Sequence, residues 1–291
     1  MTNILLILGD SLVDSGNIVS LLSPFGINPF EDKVYNGGGN VRASNGLVLG
    51  EQIALQMGAD LSNSQLFTVL SRENPTQVDI HNYSHGGAKS DFAPELSIPF
   101  VLEVGIGLQE QKRQVLRKKR FYKKQKDVDI LLSAGGNDLL DALDQIDEIK
   151  AIIATKKNKD DKAFAKSISK DIANNIKKTT NKLSEFVDEF AILVPNITET
   201  PKVKDWLTNF PKGSVKEVNN ILQSMETRLQ SKLKQKYKDS SNVAVIDIYD
   251  LWNQLPSPTF IDSHHPDTLT SSQLASLFVS RAVDELDTFG F

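Results

Sequence analysis

No cysteine occurs among the 291 residues, so the chain has no disulfide, no thiolate nucleophile and no cysteine metal ligand. A reducing compartment is permitted, and catalysis has to rest on oxygen or imidazole. No apolar run approaches the roughly eighteen residues of a membrane span. The first apolar run starts at residue 3, which leaves no room for a charged leader, an apolar stretch and a cleavage site. A cytoplasmic protein is therefore expected. Internal repeats are lacking, and so is any composition break sharp enough to divide the chain. One domain over residues 1–291 is expected, with the acidic, then Lys-rich stretch around 141–165 as a candidate insertion.

Other signatures are missing too. The run Gly37-Gly38-Gly39 follows no strand and precedes no Lys-Ser or Lys-Thr, so it reads as a cleft rim rather than a phosphate-binding loop. His81 and His85 lack acidic partners at ligand spacing and read as packing or surface histidines, so no metal and no cofactor are expected. There is no Gly-x-Ser-x-Gly elbow.

What is present is ordinary globular material, 40% hydrophobic and 24% charged, able to bury roughly three quarters of its unfolded surface. The net charge of −4 hides an asymmetry, because residues 112–126 hold nine Lys or Arg and no acid. Gln111 to Lys126 reads as a helix whose basic side chains form either a solvated face or a contact for an anionic membrane. Specific nucleic-acid recognition is not expected.

Five apolar runs read as strands: residues 3–8, 78–83, 129–134, 190–194 and 243–248. Between them lie amphipathic helices. One is expected over Arg42 to Met57 with Ser44 near its start, one is marked by Ile168, Ile172, Ile176 and Leu183, one by Val218, Leu222, Met225 and Leu229, and the last by Leu274, Phe278 and Ala282. Strands alternating with helices imply a parallel sheet with right-handed crossovers and helices on both faces.

Ligands of such sheets bind beyond the carboxyl ends of the strands, so the residues at the strand exits are the ones to inspect. The first strand runs into Gly9-Asp10-Ser11-Leu12, which makes Ser11 a candidate nucleophile, although Asp10 and Ser11 also suit a helix cap. The third runs into Gly135-Gly136-Asn137-Asp138, where the Asn137 amide can donate to a developing oxyanion and Asp138 can cap the next helix. Asp262 and His265 are three apart, a spacing at which a carboxylate in a turn reaches Nδ1 and leaves Nε2 free to act as a base. His264 competes with His265. Trp206 and Phe210, in the loop from Pro195 to Gly213, are expected either to line an acyl pocket or to pack on the scaffold.

Four words occur in order: Gly9-Asp10-Ser11-Leu12, Asn82-Tyr83-Ser84-His85-Gly86-Gly87-Ala88, Gly135-Gly136-Asn137-Asp138 and Asp262-Ser263-His264-His265-Pro266. Together they resemble the SGNH (GDSL) hydrolase family, in its lipase-like branch, and Ser44 to Ala54 and Leu193 to Asn196 agree with it. The resemblance implies a three-layer α/β/α sandwich with a five-stranded parallel sheet in flavodoxin-like order. It implies a catalytic set of Ser11, Asp262 and His265, and it selects His265 over His264. It also implies an oxyanion hole made by the Ser11 and Gly87 amides and the Asn137 side chain, with Gly86 as the fallback for Gly87. The activity implied is a serine esterase acting on a small-molecule or lipid ester. Acyl transfer or thioester hydrolysis on the same acyl-enzyme is the alternative, and a non-catalytic binding protein a more distant one. The chain departs from the lipase-like pattern at Asp267, where Thr is usual, which places a charge near the imidazole.

Overall fold

The computed structural model describes residues 3–23, 42–59, 61, 78–91, 95–96, 104–145, 149–150, 158–195, 197–198, 200–208, 210, 212, 214–262, 265–286 and 289. The glycine run at 37–39, Asn196, Ser263 and His264 lie outside them. Five strands, β1 (Asn3–Gly9), β2 (Val78–Asn82), β5 (Asp127–Ser133), β6 (Glu189–Val194) and β7 (Val243–Asp247), form one parallel sheet in the order β2-β1-β5-β6-β7. Counting these five alone, the order is 2-1-3-4-5, the flavodoxin-like arrangement, and the direction of winding reverses between β1 and β5. A short antiparallel pair, β3 (Glu95–Leu96) with β4 (Val104–Gly105), stands apart from it.

The unbroken apolar runs are explained by burial on both faces. Side chains alternate across a strand, so Ile4, Leu6, Leu8, Ile130, Leu132, Phe190 and Ile192 enter one core while Leu5, Ile7, Leu131, Ala191 and Leu193 enter the other. Helices α3 (Leu108–Arg117), α6 (Asn158–Leu183) and α8 (Val215–Tyr237) cover the first face through Val115, Ile172, Ile176, Leu222, Met225 and Leu229. Helices α2 (Leu49–Gln56) and α10 (Thr268–Glu285) cover the second through Leu49, Ile53, Leu274 and Phe278. The remaining described helices are short or lie at strand exits: α1 (Asn17–Leu22), α4 (Lys119–Tyr122), α5 (Gly136–Asp144), α7 (Pro201–Leu207) and α9 (Ile248–Trp252).

Two helix expectations need correction. The helix expected from Arg42 begins only at Leu49, because Arg42 turns back to make a buried bidentate pair with Glu51, Nε to Oε2 and Nη2 to Oε1 at 2.6 Å each. The same carboxylate accepts the Val48 N–H at 3.1 Å, so Glu51 rather than Ser44 organises the helix start. The basic helix is not continuous either: it breaks at Lys118 into α3 and α4. In the stretch regarded as a possible insertion, residues 158–165 form the first turns of α6, with Phe164 and Ala165 in the core.

The exit of β1 is built around Gly9. Its φ is +149°, and a Cβ there would lie 2.0 Å from the Ser133 carbonyl oxygen, so no larger residue fits. On its other edge β2 has ended at Asn82, and the chain beyond it reaches Gly9 through the His85 N–H, which donates to the Gly9 carbonyl at 3.0 Å; the buried side chain of Gln111 supplies the rest, its Oε1 accepting the Gly9 N–H at 2.8 Å and its Nε2 donating to the Gly9 and Ile106 carbonyls at 2.8 and 2.9 Å. Next to Gly9, Asp10 is buried, its Oδ1 accepting from the Leu12 N–H and the Ser133 hydroxyl at 3.2 Å each. Burial pushes its carboxyl from the ordinary 3.8 up to about 7, with the two hydrogen bonds acting against that rise.

Two expectations follow from this junction. Gln111→Leu keeps the volume but leaves the Gly9 N–H and the Ile106 carbonyl unpaired in the interior, and so should lower stability by about 2–4 kcal/mol, read as a lower urea midpoint. The second concerns pH. An acid held above its unfolded value binds more protons in the folded state, so its contribution is fully present below pH 3.8 and is lost as pH rises towards about 7. Asp10→Asn should therefore gain stability relative to the wild type across that window, by no more than about 4 kcal/mol. Unfolding curves of both proteins that stay parallel from acid to neutral pH would contradict this.

Candidate active site

The exit of β1 delivers Ser11 to the rim of the sheet through a tight turn in which the Asp10 carbonyl accepts the Val13 N–H at 3.2 Å. The segment after α9 supplies its partners. Residues 259–262 lie against residues 265–267, with Phe260 bridged to Pro266 and the Ile261 N–H donating to the His265 carbonyl at 2.9 Å. Within that bend Asp262 holds His265 twice: Oδ1 accepts the His265 backbone N–H at 2.8 Å and Oδ2 meets Nδ1 at 2.7 Å. Nε2 lies 2.7 Å from Ser11 Oγ. Residues 254 positions apart thus form one continuous hydrogen-bonded chain, and the Asp–His pair is almost wholly buried. Because Nδ1 faces a carboxylate, the proton sits there and Nε2 is the acceptor for the serine hydroxyl.

Asn137 arrives from β5. Gly135, at φ +109°, has room for no side chain, since a Cβ would stand 2.8 Å from Ile172 Cγ2, and it turns the chain into α5. Asn137 lies in the first turn of α5, where its Nδ2 donates one hydrogen to the Ala88 carbonyl at 2.9 Å. The second amide hydrogen is on the same nitrogen, and Asn137 lines the same cleft as Ser11 and His265. Asp138 does not cap α5. It is already inside the first turn and accepts the Ser90 N–H and hydroxyl at 2.8 Å each, tying the segment after Gly86-Gly87 to the helix. Burial raises its carboxyl above the ordinary range, with the Ser90 bonds opposing.

The Gly86-Gly87 word forms a turn closed by the Ala88 N–H to the His85 carbonyl at 3.1 Å, with Gly87 at φ +81°. Gly86 is not a free donor: its N–H goes to Asp14 Oδ2 at 2.7 Å. Gly87 is exposed, and its N–H has no hydrogen bond among the described residues. It is not among the residues lining the cleft, which the turn flanks through the bond from Asn137 to Ala88.

The cleft itself lies on the β6 and β7 side of Ser11 and is walled by Leu12, Leu140, Ile197, Ile248, Trp252 and Phe260. Trp252 and Phe260 face each other with ring centroids 5.0 Å apart. These aromatics were not singled out from the sequence, although Phe260 stands two residues before Asp262. Trp206 and Phe210 pack on each other at 4.7 Å and on the core instead. Asp267 turns away from the imidazole: it caps α10, accepting the Thr270 N–H at 2.8 Å and the Thr259 hydroxyl at 2.6 Å. His81 is a packing residue, stacked on Phe121 with Nδ1 at 2.9 Å from the Tyr122 hydroxyl, and burial with Lys118 nearby lowers it to about 4. His85 is buried, its Nδ1 unpartnered among the described residues, and burial lowers it as well, against the pull of Asp14.

Lys118 to Lys126 immediately precede β5 and so lie at the end of the sheet opposite Ser11, about one seven-residue strand or ~20 Å away. Lys119 and Lys123 pair with Glu185, and Lys126 with Asp127. Among the described residues no group of three or more His, Asp or Glu is arranged to hold a metal ion, and no helix is long and apolar enough to cross a membrane.

No curated protein matches the chain. Among solved structures, an acetylxylan esterase from Geobacillus stearothermophilus, crystallised as a catalytic mutant, is 12% identical and superimposes with a TM-score of 0.49 over 97% of this chain and 95% of that one. An alpha/beta hydrolase enzyme from the metagenome of Lake Arreo, Spain, is likewise 12% identical, with a TM-score of 0.43 over 97% of each chain. A model of the GDSL-like lipase/acylhydrolase family matches residues 5–278, a span that takes in four sheet strands, all but the first two residues of β1 and both ends of the Ser11–His265 contact, and the chain belongs to that family.

Proposed function

We propose that this protein hydrolyses carboxylic esters of apolar acyl groups through an acyl-enzyme on Ser11. The observation that carries the reading is the unbroken chain from Asp262 Oδ2 through the His265 imidazole to Ser11 Oγ, each contact at 2.7 Å, opening on a cleft walled by apolar side chains. Ser11 Oγ attacks the ester carbonyl carbon while its proton passes to His265 Nε2. The imidazolium is stabilised by Asp262, and as the carbonyl reforms, the C–O bond to the alcohol breaks and the proton goes to the departing oxygen. A water molecule repeats the sequence in reverse roles and releases the acid. In each half the negative charge on the former carbonyl oxygen is met by the Ser11 and Gly87 amides and by the second hydrogen of Asn137 Nδ2.

The wall residues Leu12, Leu140, Ile197 and Ile248, with Trp252 and Phe260, favour a longer hydrocarbon acyl group over acetyl, and among the described residues no charged side chain other than buried Asp10 and the imidazole lines the cleft. Contact with an anionic membrane through residues 112–126 forms no part of this reading, because the segment from Lys118 onward is remote from the cleft and three of its lysines are ion-paired.

Ser11→Ala should abolish ester hydrolysis without changing the far-ultraviolet dichroism, and a fluorophosphonate should label the wild type at Ser11 only. His265→Ala should lose roughly four orders of magnitude in kcat, and Asn137→Ala roughly two to three. Labelling at another serine, or a His265→Ala enzyme near full activity, would remove the assignment.

Chain length provides a separate measurement. Each methylene buried in the cleft contributes about 0.8 kcal/mol, so kcat/KM for p-nitrophenyl butyrate should exceed that for the acetate by roughly tenfold. Trp252→Ala should shrink that ratio. A preference for acetate would point to a deacetylase.

A further inference from the structure

We infer that Asp14 is a positioning residue that sets the direction of the Gly87 amide and thereby preforms the oxyanion hole. The inference rests on the serine-hydrolase reading above and adds to it a residue outside the hydrogen-bonded chain. Asp14 is 3% exposed, and its carboxylate collects four backbone N–H groups: Gly16 at 2.9 Å and Asn17 at 2.5 Å on Oδ1, Ile18 at 3.2 Å and Gly86 at 2.7 Å on Oδ2. Three of these lie just after it in sequence, Gly16 and the first two residues of α1, and one crosses to the Gly86-Gly87 turn 72 residues away. The carboxylate therefore anchors that turn to the same loop that carries Ser11.

The turn needs an anchor. Residues 85–88 close with the Ala88 N–H on the His85 carbonyl, and a positive φ at the third position, +81° at Gly87, identifies a type II turn. Types I and II differ mainly by a flip of the central peptide, here the one joining Gly86 to Gly87, and that peptide carries the Gly87 N–H. With glycine on both sides nothing steric in the sequence opposes the flip. A Cβ at Gly87 would meet nothing within 4 Å, so no neighbour packs against the third position of the turn, although His85 and Ala88 on either side are buried. The chain entering the turn is tied by the His85 N–H to the Gly9 carbonyl at 3.0 Å and by Asn17 Nδ2 to the Ser84 carbonyl at 2.7 Å, Asp14 fixes the turn's first central residue through the Gly86 N–H, and Asn137 fixes its exit through the Ala88 carbonyl at 2.9 Å. His85 adds no cation to the arrangement, since burial keeps its imidazole neutral at ordinary pH.

The test uses the intact protein and esters of one acyl group. Asp14→Asn retains the shape but presents an NH2 to a cluster of donors; kcat should fall about 10- to 100-fold with KM within about twofold, the signature of a lost transition-state contact. Affinity for a trifluoromethyl ketone, whose hemiketal oxyanion occupies the hole, should fall in step with kcat/KM. The decisive variant is Asp14→Ala combined with Gly86→Pro. Proline suits the second position of a type II turn and requires no partner for its nitrogen, so it should recover about tenfold of the kcat lost in Asp14→Ala alone. The Cβ it introduces meets Ile18 Cγ2 at 3.2 Å, which that side chain relieves by a shift of a few tenths of an ångström, and Asp14 Oδ2 at 3.6 Å, which the first substitution removes. Full kcat in Asp14→Asn overturns the inference, and so does a loss that the proline leaves unchanged. Failure of the wild type to be labelled at Ser11 would instead sink the underlying serine-hydrolase reading, and it is seen before any Asp14 variant is made.

Discussion

The close approach of Gly9 to the Ser133 carbonyl is the constraint on which the site depends. Two parallel strands end side by side there, β1 at Gly9 and β5 at Ser133, and the winding of the sheet reverses between them. Because neither neighbouring chain crosses over that gap, the segments leaving the two strands splay to opposite faces. Ser11 and Asn137 are left at the lips of one cleft. A side chain at position 9 would push the strands apart and misdirect both.

The polar groups around this junction are satisfied by side chains rather than by more sheet. Gln111 accepts the Gly9 N–H that the segment after β2 leaves open, Asp14 gathers four amides, and Asp138 and Asn137 hold the 88–90 segment against α5. Apart from the three amides Asp14 takes from residues 16–18, these bonds span distant parts of the sequence, so long-range contacts join the loops at the strand exits to one another. Preorganisation of this sort is what gives amide donors their worth in a water-poor cleft, because nothing has to reorient as charge develops. The apolar wall of Trp252, Phe260 and the aliphatic residues beside them supplies the water-poor surroundings.

Most of the nearby charge is kept off Ser11 and His265. Asp267 is occupied as the cap of α10, the basic segment before β5 sits at the far end of the sheet, and burial raises the carboxyls of Asp10 and Asp138. Asp262, bound to both the backbone and the ring of His265, is the carboxylate placed against the imidazole.

The strands and their order of appearance were legible because burial on both faces leaves an unbroken apolar run, a local signal that needs no partner to be recognised. The residues at the strand exits were legible for the same reason, since a run that stops at Gly-Asp-Ser or Gly-Gly-Asn marks where side chains leave the sheet. The 2-1-3-4-5 order came from resemblance alone, and pairing in the sheet is what establishes it. Helix boundaries were less clear: the Arg42–Glu51 pair and the break at Lys118 are set by tertiary contacts that override helical periodicity. Asp14 and Gln111 were invisible as site-builders, and Trp206 was no worse a candidate than Trp252 for the cleft wall, because a polar or aromatic side chain carries no sequence mark of the distant group it meets. The sequence by itself determined which residue types stand at the ends of buried strands. Only the folded sheet decided which of them face one another, since the Ser11–His265 contact joins residues 254 apart and exists only once five strands and their helices have packed.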